Sequence, residues 1–94
     1  MNIKTLEEKG WTKKDNRLQK QYVFKDFVTC MWFVQEVAIH CEKLQYHPEW
    51  KNIYNKLWVE LTTHDKNAIT TLDYALAEIM EEKFSFFKKN KINR

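Results

Sequence analysis

Two of the three histidines stand where the chain has to change direction. His47 lies in "EKLQYHPEW", Glu42 to Trp50, directly before the only proline, Pro48. His64 closes the alternating run "LWVELTT" and opens the polar stretch "HDKNAI". Chain reversals at element ends are where functional side chains are disproportionately displayed. An imidazole ordinarily titrates at about 6.5, so two of them brought together can give one proton and take another. Taken alone, the pair is also readable as two solvated surface histidines, and His40, on the flank of a helix, reads as solvated. Other chemistries fit poorly. A metal site needs a third ligand, and neither a Cys-x-x-Cys nor a His-Glu-x-x-His pattern occurs. A chain with one glycine cannot form a Gly-rich phosphate loop, and no Ser or Cys has an evident base beside it. Hydride and phosphoryl transfer are therefore disfavoured.

The elements that must position these residues follow from periodicity. "TLEEKG" suits a short first helix with Gly10 as its left-handed stop. Trp11–Lys14 reads as a strand, "KDNR" as a turn, and Leu18–Phe24 as a second strand hairpinned to the first. Leu18, Tyr22 and Phe24 share one phase, in which Lys20 is the exception. Asp26 is a good N-cap for a helix whose apolar stripe is Phe27, Cys30, Met31, Val34, Val37, Ala38, Cys41 and Leu44. Trp32 and Ile39 lie off that stripe, seven residues apart, as a partner helix would require. Pro48 biases His47 away from helical angles, so the helix ends near Gln45. Asn52–Tyr54 and Leu57–Thr63 read as a second hairpin turning at Asn55-Lys56. Leu57, Val59 and Leu61 face the core, with Trp58, Glu60, Thr62 and His64 on the opposite phase. Thr70 to Asp73 reads as a capping box, the Thr70 hydroxyl on the Asp73 amide and the Asp73 carboxylate reaching back. The last helix then runs from about Thr71 to Lys89, with Leu72, Leu76, Ile79, Met80, Phe84 and Phe87 as its apolar face. The expected fold is α+β, in the order β-β-α-β-β-α with a possible short N-terminal helix. Its four-stranded antiparallel sheet is covered on one face by helices.

Composition sets the bounds. Ninety-four residues, 44% apolar and 15% aromatic, suit one domain over residues 1–94 with a packed core. That many aromatics on a small core point to a subunit interface. A net charge of +3 is too mild to call for nucleic acid. The basic excess gathers at Lys88, Lys89, Lys91 and Arg94, where cations suit a helix C-terminus. Cys30 and Cys41 are about 16 Å apart along one helix. That is too far for a disulfide, so they read as reduced, buried thiols. No apolar run is long enough for a signal peptide or a membrane span, which makes the cytoplasm the default.

The stretch "CEKLQYHPEWKNIYNKLWVELTTHDKNAITTLDYALAEI" resembles the pterin-4a-carbinolamine dehydratases, a family also known as the dimerisation cofactor of a homeodomain transcription factor. The family pattern is an acidic residue, three positions, His-His-Pro, an aromatic, a further His and an Asp. Glu42, His47, Pro48, Tyr54, His64 and Asp73 fall on it without a gap, and Gly10-Trp11 and Tyr22–Phe27 also match. Tyr46 departs from it, standing where the family has its first His. The resemblance implies dehydration of 4a-hydroxytetrahydrobiopterin, or a related pterin, to the quinonoid dihydropterin with no metal or organic cofactor. It implies His47 and His64 as the proton-transferring residues. Tyr46, Pro48, Trp50, Glu42 and Asp73 form the expected substrate-binding set, with Tyr46 orienting the hydroxyl or stacking on the pterin. Three of these have structural explanations as well. Trp50 can pack under the corner, Asp73 can cap its helix, and Glu42 can brace the corner. Homodimers or homotetramers are further implied. A family member that has lost the chemistry and acts as an assembly or regulatory partner is the competing expectation.

Overall fold

The computed structural model describes the backbone of residues 3–90 and the side chains of residues 5–87. The chain runs α1 (Ile3–Glu8), β1 (Thr12–Lys14), β2 (Arg17–Val23), α2 (Phe27–Leu44), β3 (Glu49–Ile53), β4 (Lys56–Leu61) and α3 (Thr71–Asn90). All strand pairs are antiparallel, in the order β1-β2-β4-β3. Leu18, Tyr22, Leu57, Val59 and Leu61 are buried on the face that α2 and α3 cover, as their alternation predicts. The α+β order expected from the sequence is the order found. The side chains of Lys88, Lys89, Lys91 and Arg94 lie outside the described residues.

Each hairpin turns on residues at positive φ. Asp15 and Asn16, at φ 53° and 62°, form a two-residue turn of the type I′ class between Lys14 and Arg17. The second hairpin differs from expectation. β3 starts at Glu49 rather than Asn52, and Ile53 pairs with Lys56, so Tyr54-Asn55 make the turn. The Asn52 side-chain amide donates to the carbonyls of Tyr54 (3.0 Å) and Lys56 (2.9 Å). That clamp holds Tyr54 at φ 54°, in the turn rather than in the strand. β4 is also shorter than expected. Past Leu61 the alternation breaks, and Thr62 turns inward to donate its hydroxyl to the Asn16 carbonyl at 2.9 Å.

The face of α2 is rotated from the one expected. Cys30, Phe33, Val37 and Cys41 are buried, whereas Phe27 is 46% exposed and Ala38 is exposed. Phe33 belongs inside because it meets Tyr22, Phe24, Phe84 and Phe87 in one aromatic cluster, with centroids 5.0 to 6.4 Å apart. On α3, Leu72 is exposed, while Leu76, Ala77, Met80 and Phe87 are buried. His40 is half-buried rather than solvated. Burial of Cys41 pushes its thiol up to about 11, and both cysteines are free.

Lys20, the exception to the β2 pattern, has its reason on α3. Its Nζ lies 2.5 Å from Glu81 Oε2, and the same oxygen accepts from Tyr22 Oη (2.6 Å) and Trp11 Nε1 (2.8 Å). Lys20 also donates to the Lys9 carbonyl at 2.6 Å and lies over the Tyr22 ring. This buried ion pair ties α3 to β2 and to the segment after α1. Truncating one partner leaves the other charge buried and unpaired. Glu81→Ala is therefore expected to lower the urea-unfolding free energy by about 3–5 kcal/mol. The double variant Lys20→Met/Glu81→Leu is expected to recover most of that loss.

Candidate active site

The corner before β3 is made by the end of α2. Gln45 takes left-handed angles (φ 54°, ψ 44°), its amide donating to the Glu42 carbonyl at 3.2 Å and that of Tyr46 to the Cys41 carbonyl at 3.0 Å. This is the two-bond cap that closes many helices, usually on glycine. Here the Gln45 side chain adds a 2.8 Å bond to the Glu42 carbonyl. The cap swings Tyr46 inward, and Pro48 follows two residues later. The helix therefore stops where the proline required, at Leu44.

Strand register then sets which residues meet. Glu49 pairs with Glu60, so the His47-Pro48 corner and the turn after Leu61 lie at the same end of the sheet. Tyr54 is at the other end, separated by the length of β4, about 17 Å. The motif aromatic therefore does not join the histidines.

At the shared end, one carboxylate collects both turns. Asp73, in the first turn of α3, is fully buried. Its Oδ1 accepts the Tyr46 hydroxyl, which also lies 3.1 Å from the Thr62 carbonyl. Its Oδ2 accepts from the Thr63 hydroxyl (2.8 Å) and the Thr70 amide (2.7 Å). The Thr70 hydroxyl lies 2.7 Å from that of Thr63 and 3.5 Å from Asp73 Oδ2. The capping box thus closes on the Asp73 side as expected, but Thr70 accepts from the Leu72 amide (3.3 Å) rather than from that of Asp73. Tyr46 precedes His47 and Thr63 precedes His64, so each histidine follows a residue bound to a different oxygen of one carboxylate.

The remaining expected residues divide around this centre. His47 and His64 are exposed, and His47 Nε2 lies 3.5 Å from Glu42 Oε1, both side chains largely in solvent. Pro48 and Trp50 are half-buried, and Trp50 packs against the core. Tyr46 is only 7% exposed and its hydroxyl donates to Asp73, whereas the resemblance implied a side chain orienting the hydroxyl or stacking on the pterin. Asp73 is likewise beneath the surface. Burial, and then the bond to Asp73 and its charge, raise the Tyr46 phenol above its ordinary 10.0, which keeps it a neutral donor. Thr62 and Thr63 were missed by sequence reasoning. The signal available was a pair of hydroxyl residues directly before His64, in a strand whose alternation ends there. Among the described residues, no group of three or more His, Cys, Asp or Glu could hold a metal ion.

A family model described as pterin 4 alpha carbinolamine dehydratase matches residues 2–83. The chain belongs to that family. Curated relatives named as candidate pterin-4-alpha-carbinolamine dehydratases include one from Prochlorococcus marinus, 46% identical over 69 residues, covering 73% of this chain and 72% of the relative. Another, from Rhizobium rhizogenes, is 47% identical over 75 residues, covering 78% and 74%. A crystal structure described as a transcriptional coactivator/pterin dehydratase from Brucella melitensis superimposes with a TM-score of 0.79. It is 36% identical, and the match covers 86% of this chain and 90% of that one. In this dehydratase-family chain, one buried carboxylate binds the residues directly before His47 and His64, and both histidines are exposed.

The phenols make stability pH-dependent. Burial raises Tyr22 as well as Tyr46, in both cases with a carboxylate beside the hydroxyl. Folded chains hold these protons to higher pH than unfolded ones. The stabilisation is therefore complete below pH 10 and declines as pH rises past the unfolded value, by about 1.4 kcal/mol per unit for each phenol. Urea unfolding between pH 9 and 11 should show that slope, and Tyr46→Phe should reduce it. The same variant is expected to cost about 1–3 kcal/mol at pH 7, because Asp73 loses a donor.

Proposed function

We propose that this chain is a 4a-hydroxytetrahydrobiopterin dehydratase acting in tetrahydrobiopterin recycling, a single cytoplasmic domain over residues 1–94. The observation that carries the reading is the shared carboxylate. Tyr46 and Thr63, the residues directly before His47 and His64, bind the two oxygens of Asp73. Two imidazoles fixed at one end of a sheet suit a reaction that needs one proton delivered and one removed.

In that reaction the C–O bond of the carbinolamine breaks, and the hydroxyl leaves with a proton from an imidazolium as water. The lone pair of the neighbouring ring nitrogen forms the new C=N bond, and a nitrogen proton passes to a neutral imidazole. One water is lost, nothing is oxidised, and the two imidazoles exchange protonation states. His47 and His64 divide these roles. Tyr46 is a support: a neutral phenol, bound to Asp73, holds the corner but accepts no proton. A general acid–base group typically contributes about 10²–10⁴-fold, so the family's missing first His makes this a slower dehydratase rather than an inert one.

The test generates the carbinolamine in situ with a pterin-dependent hydroxylase and follows quinonoid dihydropterin. The protein is expected to accelerate its formation, and His47→Ala and His64→Ala each to lower the rate by about 10²-fold or more. Tyr46→His, which restores the family's imidazole opposite Asp73, is expected to raise turnover. No acceleration at micromolar protein would sink the reading.

A second reading concerns assembly. Val28, Trp32 and Ile39 on α2 are 55%, 42% and 50% exposed at spacings of four and seven, one helical stripe. Trp32, Glu36, Lys83 and Phe86 line an open groove beside it, between α2 and α3. We propose that this face makes the chain a homodimer or homotetramer, or, if the chemistry has been lost, receives a regulatory protein partner. Light scattering on Trp32→Glu is expected to show a smaller species than the wild type. Equal masses would remove this face from the assembly.

A further inference from the structure

The structure assigns Thr63 as the positioning residue for His64, a role that rests on the dehydratase reading for its catalytic consequence. His64 is the first residue of a four-residue loop, 64–67, closed by the Thr63–Ala68 bridge. The main chain of that loop hangs from its first pillar. Thr63 donates its amide to the Ala68 carbonyl at 3.0 Å, and its own carbonyl accepts from Lys66 (3.0 Å) and Ala68 (3.4 Å). The His64 carbonyl accepts from Asn67 at 3.1 Å, and Asn67 takes φ 49° to close the turn. These bonds shape the loop, and Thr62 ties its base to the sheet, its hydroxyl donating to the Asn16 carbonyl at 2.9 Å and lying 3.5 Å from the Ala68 carbonyl. The Thr63 side chain ties it to α3. Its hydroxyl, half-buried, donates to Asp73 Oδ2 at 2.8 Å and lies 2.7 Å from the Thr70 hydroxyl.

One assignment of protons satisfies the whole chain. The Leu72 amide donates to the Thr70 hydroxyl, Thr70 donates to Thr63, and Thr63 donates to Asp73. Thr63 is therefore oriented from one side by the helix terminus and from the other by a fully buried carboxylate. A hydroxyl held by two partners has one rotamer, and that rotamer fixes the Cα from which His64 departs. Because Asp73 Oδ1 holds Tyr46, the Thr63 bond sets the His64 turn against the His47 corner. Proton transfer requires reacting groups to stay within hydrogen-bond reach, so a shift of the His64 turn against the His47 corner would slow it.

Thr63→Val keeps the shape and removes the hydroxyl, and Thr63→Ser keeps the hydroxyl. Two measurements read the proposal. In the dehydration assay, Thr63→Val is expected to lower kcat about tenfold with KM little changed, and Thr63→Ser to restore kcat. In amide relaxation measurements, the heteronuclear NOE of residues 64–67 is expected to fall in Thr63→Val and return in Thr63→Ser. A Thr63→Val protein with an ordered 64–67 loop, or with wild-type kcat despite a loosened loop, overturns the assignment. A wild-type protein without dehydratase activity, whose loop nevertheless loosens in Thr63→Val, fails the dehydratase reading and leaves the hold on His64 standing.

Discussion

A carboxylate with no exposed surface is tolerable only when donors fill its lone pairs, because removing its water otherwise costs several kcal/mol. Asp73 meets this condition with donors from three places in the chain: Tyr46 after α2, Thr63 after β4, and Thr70 before α3. Thr63 and Thr70 meet through a local loop, but Tyr46 lies 27 residues from Asp73 and reaches it only through the fold. The demand of one buried group thus sets the relative positions of three junctions, and the exposed histidines inherit their positions from those junctions. Under the proposed reading, a residue out of reach of solvent thereby bears on chemistry at the surface.

Glu81 imposes the same demand eight residues further along α3, about 12 Å up the helix axis. Its donors come from Lys20, Tyr22 and Trp11, all before α2. Between the two carboxylates lie Leu76, Ala77 and Met80, an ordinary apolar seam that would tolerate a slipped helix. The carboxylates would not tolerate it. A shift of α3 by one turn would leave both acids, and an ammonium group, buried without partners. Apolar packing supplies the attraction between helix and sheet, and the two acids select a single register, as polar groups do in other packed interfaces.

Much of this was legible because the strands alternate cleanly. Leu57, Val59 and Leu61 could face only one way, and Pro48 could only end a helix. The face of α2 was harder to read. Val28, Met31, Trp32, Phe33, Val34 and Ile39 put apolar residues on nearly every side of that helix, so periodicity alone could not choose between Phe27 and Phe33. Phe33 is inside because of aromatic partners on β2 and α3, a fact about packing rather than period. Lys20 looked like an error in an apolar phase because its counter-charge is 61 residues away. The burial of Tyr46 was hidden for a related reason. Its place in the motif was visible, but its direction depends on the left-handed cap at Gln45, a residue with no glycine to announce it.

The exchange of an imidazole for a phenol at position 46 is intelligible in this geometry. Position 46 here supplies a buried donor to Asp73, and directly after it the chain returns to the surface at His47. The phenol is a single donor long enough to reach Asp73 and the Thr62 carbonyl from a buried ring. It accepts no proton, because burial and the adjacent carboxylate both disfavour the phenolate. Under the proposed reading, all proton traffic then falls on His47 and His64, both exposed and both open to exchange with water. Re-protonation of the imidazoles would not limit such an enzyme. The placing of the two corners against each other would, and both corners are tied to the one buried carboxylate through Tyr46 and Thr63.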